Sequence, residues 1–311
     1  MTRLVLIDGH AILHRAYHAL PPLISRTGQP TGAVYGFLTM LFRIIQDLKP
    51  THLAAAFDLP TPTFRHEAYI AYQAQRPPTE QALKDQIELV KEVLVSAGTP
   101  IYACPGFEAD DVIGTLARQA VLSRSSTLID EVIIVTGDRD IMQLVNHKVK
   151  VYAPIRGLSE SKMFGKVEVE EYMGVKPSQI VDYKALVGDQ SDNYPGVAGI
   201  GPKTAVELIK SHDNLDGVYR AIGVKGFSEN ITKKLEDGKA AAKLSQNLAR
   251  IRVDAPVRLD LKRSATLDLS KNEKFLQKLD QLGFKSLIKR LTGEEKKRIN
   301  SKIEKTQISL L

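Results

Sequence analysis

Apolar residues in this chain gather first into short solid runs and later into helical stripes. "RLVLID" (3–8) and "THLAAAFD" (51–58) are nearly continuous apolar runs, too short for helices and each closed by an aspartate. "TPIYAC" (99–104), "EVIIVTGDRD" (131–140) and "HKVKVYA" (147–153) read as further strands. Between them lie helical patterns. One long helix spans 31–50 and is closed by Pro50, another carries Leu83, Ile87, Val90 and Leu94 within 79–97, and a third carries Ala109, Val112, Ile113, Leu116 and Ala120 after the Pro105-Gly106 break. Strands alternating with helices predict an α/β fold with a mostly parallel sheet covered on both faces. From about residue 168 the strand signal fades, and "VEVEEYMGV", "PSQIVDYKALVG", "PKTAVELIKS" and "KAAAKLSQNLARI" read as helices. The expected organisation is therefore an α/β domain over 1–170, a helical domain over 171–292 and a charged tail over 293–311. "SRSSTL" (123–128) reads as a surface loop.

Composition narrows the field modestly. At 311 residues the chain can bury a sizeable core in two domains. Its net charge of +7 favours anionic partners, nucleic acid foremost. Cys104 is the only cysteine, which excludes an internal disulfide and a thiolate zinc cluster and fits a reducing compartment. The first apolar run is stopped by Asp8, so no signal peptide is expected, and no run approaches the roughly 20 residues of a membrane span. A cytoplasmic protein without membrane contact is expected.

The acids change the picture more. Asp8, Asp58 and Asp138 each close an apolar run, and parallel strands bring their carboxyl ends to one edge, where open α/β sheets bind ligands. Taken singly, each is equally well a turn or helix-capping aspartate. In "GFEADDVIG", Glu108, Asp110 and Asp111 crowd the first turn of a helix. One or two acids suffice to compensate a helix dipole. Three repel one another, by roughly 4 kcal/mol per pair at about 4 Å and an effective dielectric near 20, which a cation would offset. "TGDRDIMQLV" adds Asp140, and "VGDQSDNYPG" adds Asp189 and Asp192. Carboxylates without histidine or cysteine suit Mg²⁺ or Mn²⁺, and so many suggest two ions of the kind that serve phosphoryl transfer. The residues alone thus point to a metal-dependent phosphodiesterase or phosphatase.

"GVAGIGPKTAVELIK" (196–210) follows directly. Gly196, Gly199 and Gly201 permit a tight hairpin, Pro202 suits a first helical turn, and the helix start with Lys203 and Thr204 can hold a backbone phosphate without reading a base. Together with "LIDGHAILHRAYHAL", "GAVYGFLTML", "FDLPTPTFRHEAY", "PGFEADDVIGTLA", "TGDRDIMQLV", "DYKALVGDQSDNYPGVAGIGPKTA" and "LGFKSLIKRL", these stretches resemble the 5′-nuclease domain of bacterial DNA polymerase I and its stand-alone relatives, the flap endonucleases. The resemblance runs from about residue 3 to about 292. It implies a PIN-like (resolvase-like) nuclease domain followed by a helix-hairpin-helix duplex-binding domain. It also implies two divalent ions and cleavage at 5′ flaps, nicks and gaps in DNA, RNA primer–DNA included, by a monomer. By resemblance Asp8, Asp58, Glu108 and Asp110 surround the first ion. Asp110, Asp138, Asp140 and Asp192 face the second, and Asp111 and Asp189 stand further out. Tyr17, Phe64, Arg65 and Tyr69 match family positions near the DNA, the tyrosines equally well core aromatics. The hairpin 196–204 matches the holder of the duplex backbone and of a monovalent cation such as K⁺.

One position departs from the family pattern. Relatives usually read Tyr-Lys-x-x-Arg after "FRHEAY", on a helix that brings lysine and arginine to the scissile phosphate. Here the stretch is Tyr72-Gln73-Ala74-Gln75-Arg76. Arg76 is kept, but a glutamine amide cannot neutralise developing charge, and losing one such contact typically costs about 10²–10³ in rate. Slower turnover with retained duplex binding is expected. A catalytically weak or inactive DNA-structure-binding protein is the alternative, and a ribonuclease acting on free RNA would leave the glycine hairpin unexplained.

Overall fold

A computed structural model describes residues 1–25, 28–123, 128–157, 160–224, 227–266 and 268–293. The apolar runs form β1 (Arg3–Asp8), β2 (His52–Ala56), β3 (Ile101–Tyr102), β4 (Glu131–Val135) and β5 (Val149–Arg156), joined by β6 (Glu160–Phe164). Among the described residues they make one six-stranded sheet in the order β3-β2-β1-β4-β5-β6. β1 to β5 pair in parallel and β6 closes the edge antiparallel to β5. β6 is not apparent in the sequence. Its "ESKMF" buries only Phe164 fully, as an edge strand does, so it carries little hydrophobic periodicity.

The connections are α1 (Gly9–Ala19), α2 (Gly32–Leu48), the short α3 (Phe64–Ala68), α4 (Gln81–Ser96) and α5 (Ala109–Leu122). α2 ends at Lys49, which takes the left-handed conformation (φ 46°) of a helix C-cap, and Pro50 after it cannot continue the helix. The later helices are α6 (Lys166–Met173), α7 (Ile180–Val187), α8 (Pro202–His212), α9 (Leu215–Ala221), α10 (Glu229–Asp237) and α11 (Lys239–Ala249), followed by α12 (Leu261–Ser264), α13 (Glu273–Gln281) and α14 (Lys285–Thr292).

Alternate strand residues feed two cores. Val5, Ile7, Leu53, Ala55, Ile133 and Val135 pack on one face with α2, α4 and the late residues Phe275, Leu279 and Leu287. Leu4, Leu6, Ala54, Ala56, Val132 and Ile134 pack on the other with α5 and with Ile180, Leu186 and Ile209 of the helical part. The helical part therefore shares the core of the sheet, and the chain returns at 269–291 to the opposite face. The returning strap runs along α5 on a row of side-chain acceptors. The Arg252 N–H donates to Asp111 Oδ1 (2.8 Å), Ala255 to Thr115 Oγ1 (3.0 Å) and Leu259 to Gln119 Oε1 (2.8 Å).

The expected loop at 123–128 falls largely outside the described residues, as does the expected tail beyond Gly293. No helix among the described residues is long and apolar enough to cross a membrane.

Candidate active site

Parallel pairing puts the carboxyl ends of β1, β2 and β4 on one edge. β1 lies between β2 and β4, so the chain order reverses there, and the crevice outside such a switch point is where open α/β sheets bind ligands. A cleft of about 430 Å³ opens at that point, and Asp8, Asp58, Glu108, Asp110, Asp138, Asp140 and Asp192 line it.

Each acid is held by its own local structure. Asp8 caps α1, accepting from the Ala11 N–H (3.0 Å), and receives the Thr136 hydroxyl at 2.7 Å. The same hydroxyl accepts the Asp138 N–H (3.0 Å), so one buried threonine ties the ends of β1 and β4 together. Asp58 accepts the Ala109 N–H (2.7 Å) at the start of α5, and its own N–H donates to His10 Nδ1 (3.0 Å). Glu108 receives the hydroxyls of Thr63 and Tyr72, both at 3.2 Å. Asp138 accepts the Asp140 N–H at 2.8 Å.

Burial dominates the electrostatics. It pushes the Asp8 carboxyl up to about 7 against the hydrogen bonds from Ala11 and Thr136, with Asp58 and Asp138 adding to the rise. Glu108 also rises to about 7, through burial opposed by Arg65. Asp110 stands well above the carboxylate range, through burial and then the charges of Asp138, Asp8 and Glu108. Asp140 rises to about 7 through burial, which Lys184 partly offsets. This many carboxylates can ionise together only with added positive charge.

One expectation, Arg65 near the DNA, is corrected, and Asp111, expected to stand further out, lies outside the cleft. Asp111 is fully buried, with Arg65 bidentate on its oxygens at 2.7 and 2.9 Å. Arg65, expected near DNA, is 3% exposed and also donates to the carbonyls of Leu248 (2.8 Å) and Arg250 (3.0 Å). These bonds take up four of its five N–H donors. It joins α3, the start of α5 and the end of α11, and stands 3.3 Å from Glu108.

Asp189 does not line the cleft either, but it lies beside it. One carboxylate oxygen from each of Asp140, Asp189 and Asp192 can lie within 4.8 Å of the others, a spacing that suits one cation. Burial tends to raise Asp189, but Lys184 and Ser191 outweigh it and hold the carboxyl below its usual range. Lys184 is the residue that sequence reasoning missed. Its ammonium joins Asp140 (2.7 Å) to Asp189, and the only sequence signal is its place in "DYKALVGD".

The expected helix at 72–76 is instead a run of turns. The Gln73 N–H leaves the local turn pattern to bond the Asp192 carbonyl (2.9 Å), which draws Gln73 into the left-handed region at φ 55°. The Gln73 amide donates to Asp192 Oδ1 at 3.1 Å, and Arg76 reaches the same oxygen at 2.6 Å.

At the hairpin, Gly196 (φ 62°) and Gly199 (φ 79°) are left-handed, and Gly201 precedes Pro202 at the start of α8. No side chain caps that helix, Lys203 is exposed beside it, and Lys234 donates to the Gly199 carbonyl at 3.2 Å. Of the expected DNA-side aromatics, Tyr17 donates to Glu80 (2.6 Å). Phe64 carries the Arg252 guanidinium 3.7 Å from its ring centre, and Tyr69 packs beside Tyr72, Tyr194, Leu248 and Ala249.

The model of the 5′-3′ exonuclease N-terminal resolvase-like domain matches residues 3–174, and that of the 5′-3′ exonuclease C-terminal SAM fold matches residues 175–275. The chain belongs to the 5′-3′ exonuclease family. Within that family it is 40% identical over 299 residues to DNA polymerase I of Bacillus caldotenax, covering 95% of this chain and 33% of that protein. It is 39% identical over 293 residues to a 5′-3′ exonuclease of Aquifex aeolicus, covering 93% of this chain and 95% of that one. The chain thus spans about a third of the DNA polymerase I relative. The fold of this family member is shared with T5 5′-exonuclease solved with zinc bound (TM-score 0.65, 19% identity, 94% and 97% covered). It is also shared with the catalytic core of Rad2 in complex with DNA substrate (0.56, 17%, 93% and 92%).

The cleft of this exonuclease-family chain fits divalent cations on its own chemistry. Carboxylate oxygens dominate it, burial keeps several of them short of full ionisation, and among the described residues Arg65, Arg76 and Lys184 pair with its acids, with the His10 ring 3.3 Å from Asp58.

Proposed function

We propose that this chain is a two-metal, structure-specific 5′ nuclease that hydrolyses DNA phosphodiesters at nicks, gaps and 5′ flaps, RNA primer–DNA junctions included, leaving 5′-phosphorylated products. The observation that carries the reading is the convergence of seven carboxylates at the switch point of the sheet, the last of them, Asp192, directly ahead of the glycine hairpin in the chain. Asp8, Asp58, Glu108 and Asp110 would hold one Mg²⁺ or Mn²⁺. Asp110, Asp138, Asp140 and Asp192 would hold the other, with Asp189 supporting through Lys184 and Ser191. When bound, such a pair supplies an activated water and charge stabilisation at the attacking and leaving oxygens.

The chain's own groups do the rest. Arg76, half exposed at the rim, can turn from Asp192 to a phosphate. The uncapped start of α8, with Lys203 and Thr204, offers N–H groups and positive charge to the duplex backbone. The Lys234 ammonium already satisfies the Gly199 carbonyl, so a K⁺ ion at the hairpin would rely on other carbonyls. This role fits primer removal and DNA repair by a monomer in the cytoplasm.

Gln73 favours a second reading, a DNA-structure-binding protein with little catalysis. Cleavage of a labelled 5′-flap duplex in Mg²⁺ and in EDTA separates the two. The nuclease reading expects Mg²⁺-dependent 5′-phosphorylated product, and its absence at high protein concentration sinks that reading.

A further inference from the structure

α5 brings acids to the cleft at one end and carries an open apolar face at the other. From Asp110 to Leu122 the helix climbs roughly 18 Å, so its last turns stand well away from the acids of the cleft. Two adjoining hollows of about 500 and 1020 Å³ lie there, and Arg118, Leu122 and Val253 line both. Ala117, Val121, Leu144 and Val149 floor the smaller one. Arg258, Lys262 and Arg263, all exposed, rim the larger. Among the described residues these three side chains have no carboxylate partner. Asp260, the one acid among the described residues that lines either hollow, caps α12 and accepts the Arg263 N–H at 3.1 Å. The rim is held in place without a ligand. Gln119 receives the Leu259 N–H (2.8 Å) and donates to the Val257 carbonyl (2.7 Å), which pins the strap on both sides of Arg258. On the shared wall, Leu122 is 63% exposed.

We propose that the two hollows form a docking groove for an acidic segment of a partner protein. Its apolar side chains would sit on the aliphatic floor, and its carboxylates on Arg258, Lys262 and Arg263. An apolar centre within a charged rim is the common build of a protein–protein contact. The unpaired basic rim selects carboxylates by charge complementarity. Single-stranded nucleic acid is a poorer fit, because its bases are held on aromatic platforms and this floor is aliphatic. Tyr102 is the one ring among the described residues that lines either hollow, and its hydroxyl is taken up by the Asp260 N–H at 3.0 Å. The inference is independent of the nuclease reading, since none of these residues lines the cleft.

The test uses the full chain and the fluorescence anisotropy of short labelled peptides. One peptide alternates aspartate with leucine, a second has serine for leucine, and a third has lysine for aspartate. The first is expected to bind in the micromolar range, and the other two about 10-fold more weakly or worse. Arg258→Glu combined with Arg263→Glu should weaken the first peptide by about 10-fold or more, and Leu122→Ser by about 3-fold. Thermal melts of both variants should match wild type, because the altered side chains are exposed. No binding of the first peptide, equal binding of the serine peptide, or binding that survives the charge reversal overturns the inference. Single-stranded DNA that binds wild type more tightly than the first peptide, and loses that binding in the charge-reversed variant, overturns it in favour of a nucleic-acid groove.

Discussion

Gln73 and Arg76 share one partner, the Asp192 carboxylate, and differ in what they bring to it. The arginine carries charge that can move to a phosphate, and the amide does not. Gln73→Lys is therefore expected to raise the single-turnover cleavage rate by about 10-fold or more, and Arg76→Ala to lower it by about 10²-fold, in line with the usual worth of a charge contact in a transition state. Quench-flow kinetics on a flap duplex checks both, and an unchanged rate for Gln73→Lys would falsify the view that the glutamine limits turnover. Thr136 is a second single-residue test, because its hydroxyl bonds both Asp8 and the Asp138 N–H. Thr136→Val should weaken divalent-cation binding about 10-fold by calorimetry, as expected when a hydrogen bond to a charged group is lost, and Thr136→Ser should restore most of it.

Among the elements, the loop from Gly188 to Gly201 is tightly constrained. A Cβ on Gly196 would sit 2.3 Å from the Gly188 nitrogen, and Gly196 is also left-handed. Gly196→Ala is expected to cost at least about 1–3 kcal/mol in urea unfolding, the usual price of backbone strain. Because the same loop carries Asp189 and Asp192, the variant should also lose duplex affinity in a filter-binding assay. Much at this scale is legible in the sequence. The strand runs, the helix stripes and the glycine hairpin are local patterns and form where they are read. The run 72–76 is not, because the helix that the resemblance implies there yields to a hydrogen bond with Asp192, far along the chain.

For the molecule as a whole, Arg65 and Asp111 are the joint between the sheet and the helical part. Arg65→Met would leave Asp111 buried and unpaired, and is expected to destabilise the fold by about 3–5 kcal/mol in urea denaturation. The double change Arg65→Met with Asp111→Leu should recover only part of that: the Asp111 charge is gone, but Glu108 loses its cation and the N–H groups of Glu108 and Arg252 lose their acceptor. The cleft predicts a pH dependence. Asp8, Glu108 and Asp140 lie near 7, above their ordinary values, and a cation needs them ionised. Below that pH a bound ion must displace protons, so affinity should rise with pH up to about 7 and then flatten. Calorimetry of Mn²⁺ binding in buffers of different ionisation enthalpy should show proton release that falls as pH passes through that range, with Asp110, held well above its ordinary range, the last to release its proton. Proton release that grows above pH 8 would contradict the assignment.

The order of strands and helices, the acids that close strands, and the glycine turn before α8 were determined by the sequence itself. They depend on periodicity, on turn chemistry and on side chains within a few residues of one another. Which acids face the cleft was decided only in three dimensions. Asp110 and Asp111 are neighbours at one helix start, yet one enters the cleft and the other is taken by Arg65, 46 residues away. The same holds for Lys184 between Asp140 and Asp189. Burial and pairing across distant segments set the charge and the partner of each group, and no local pattern carries that information.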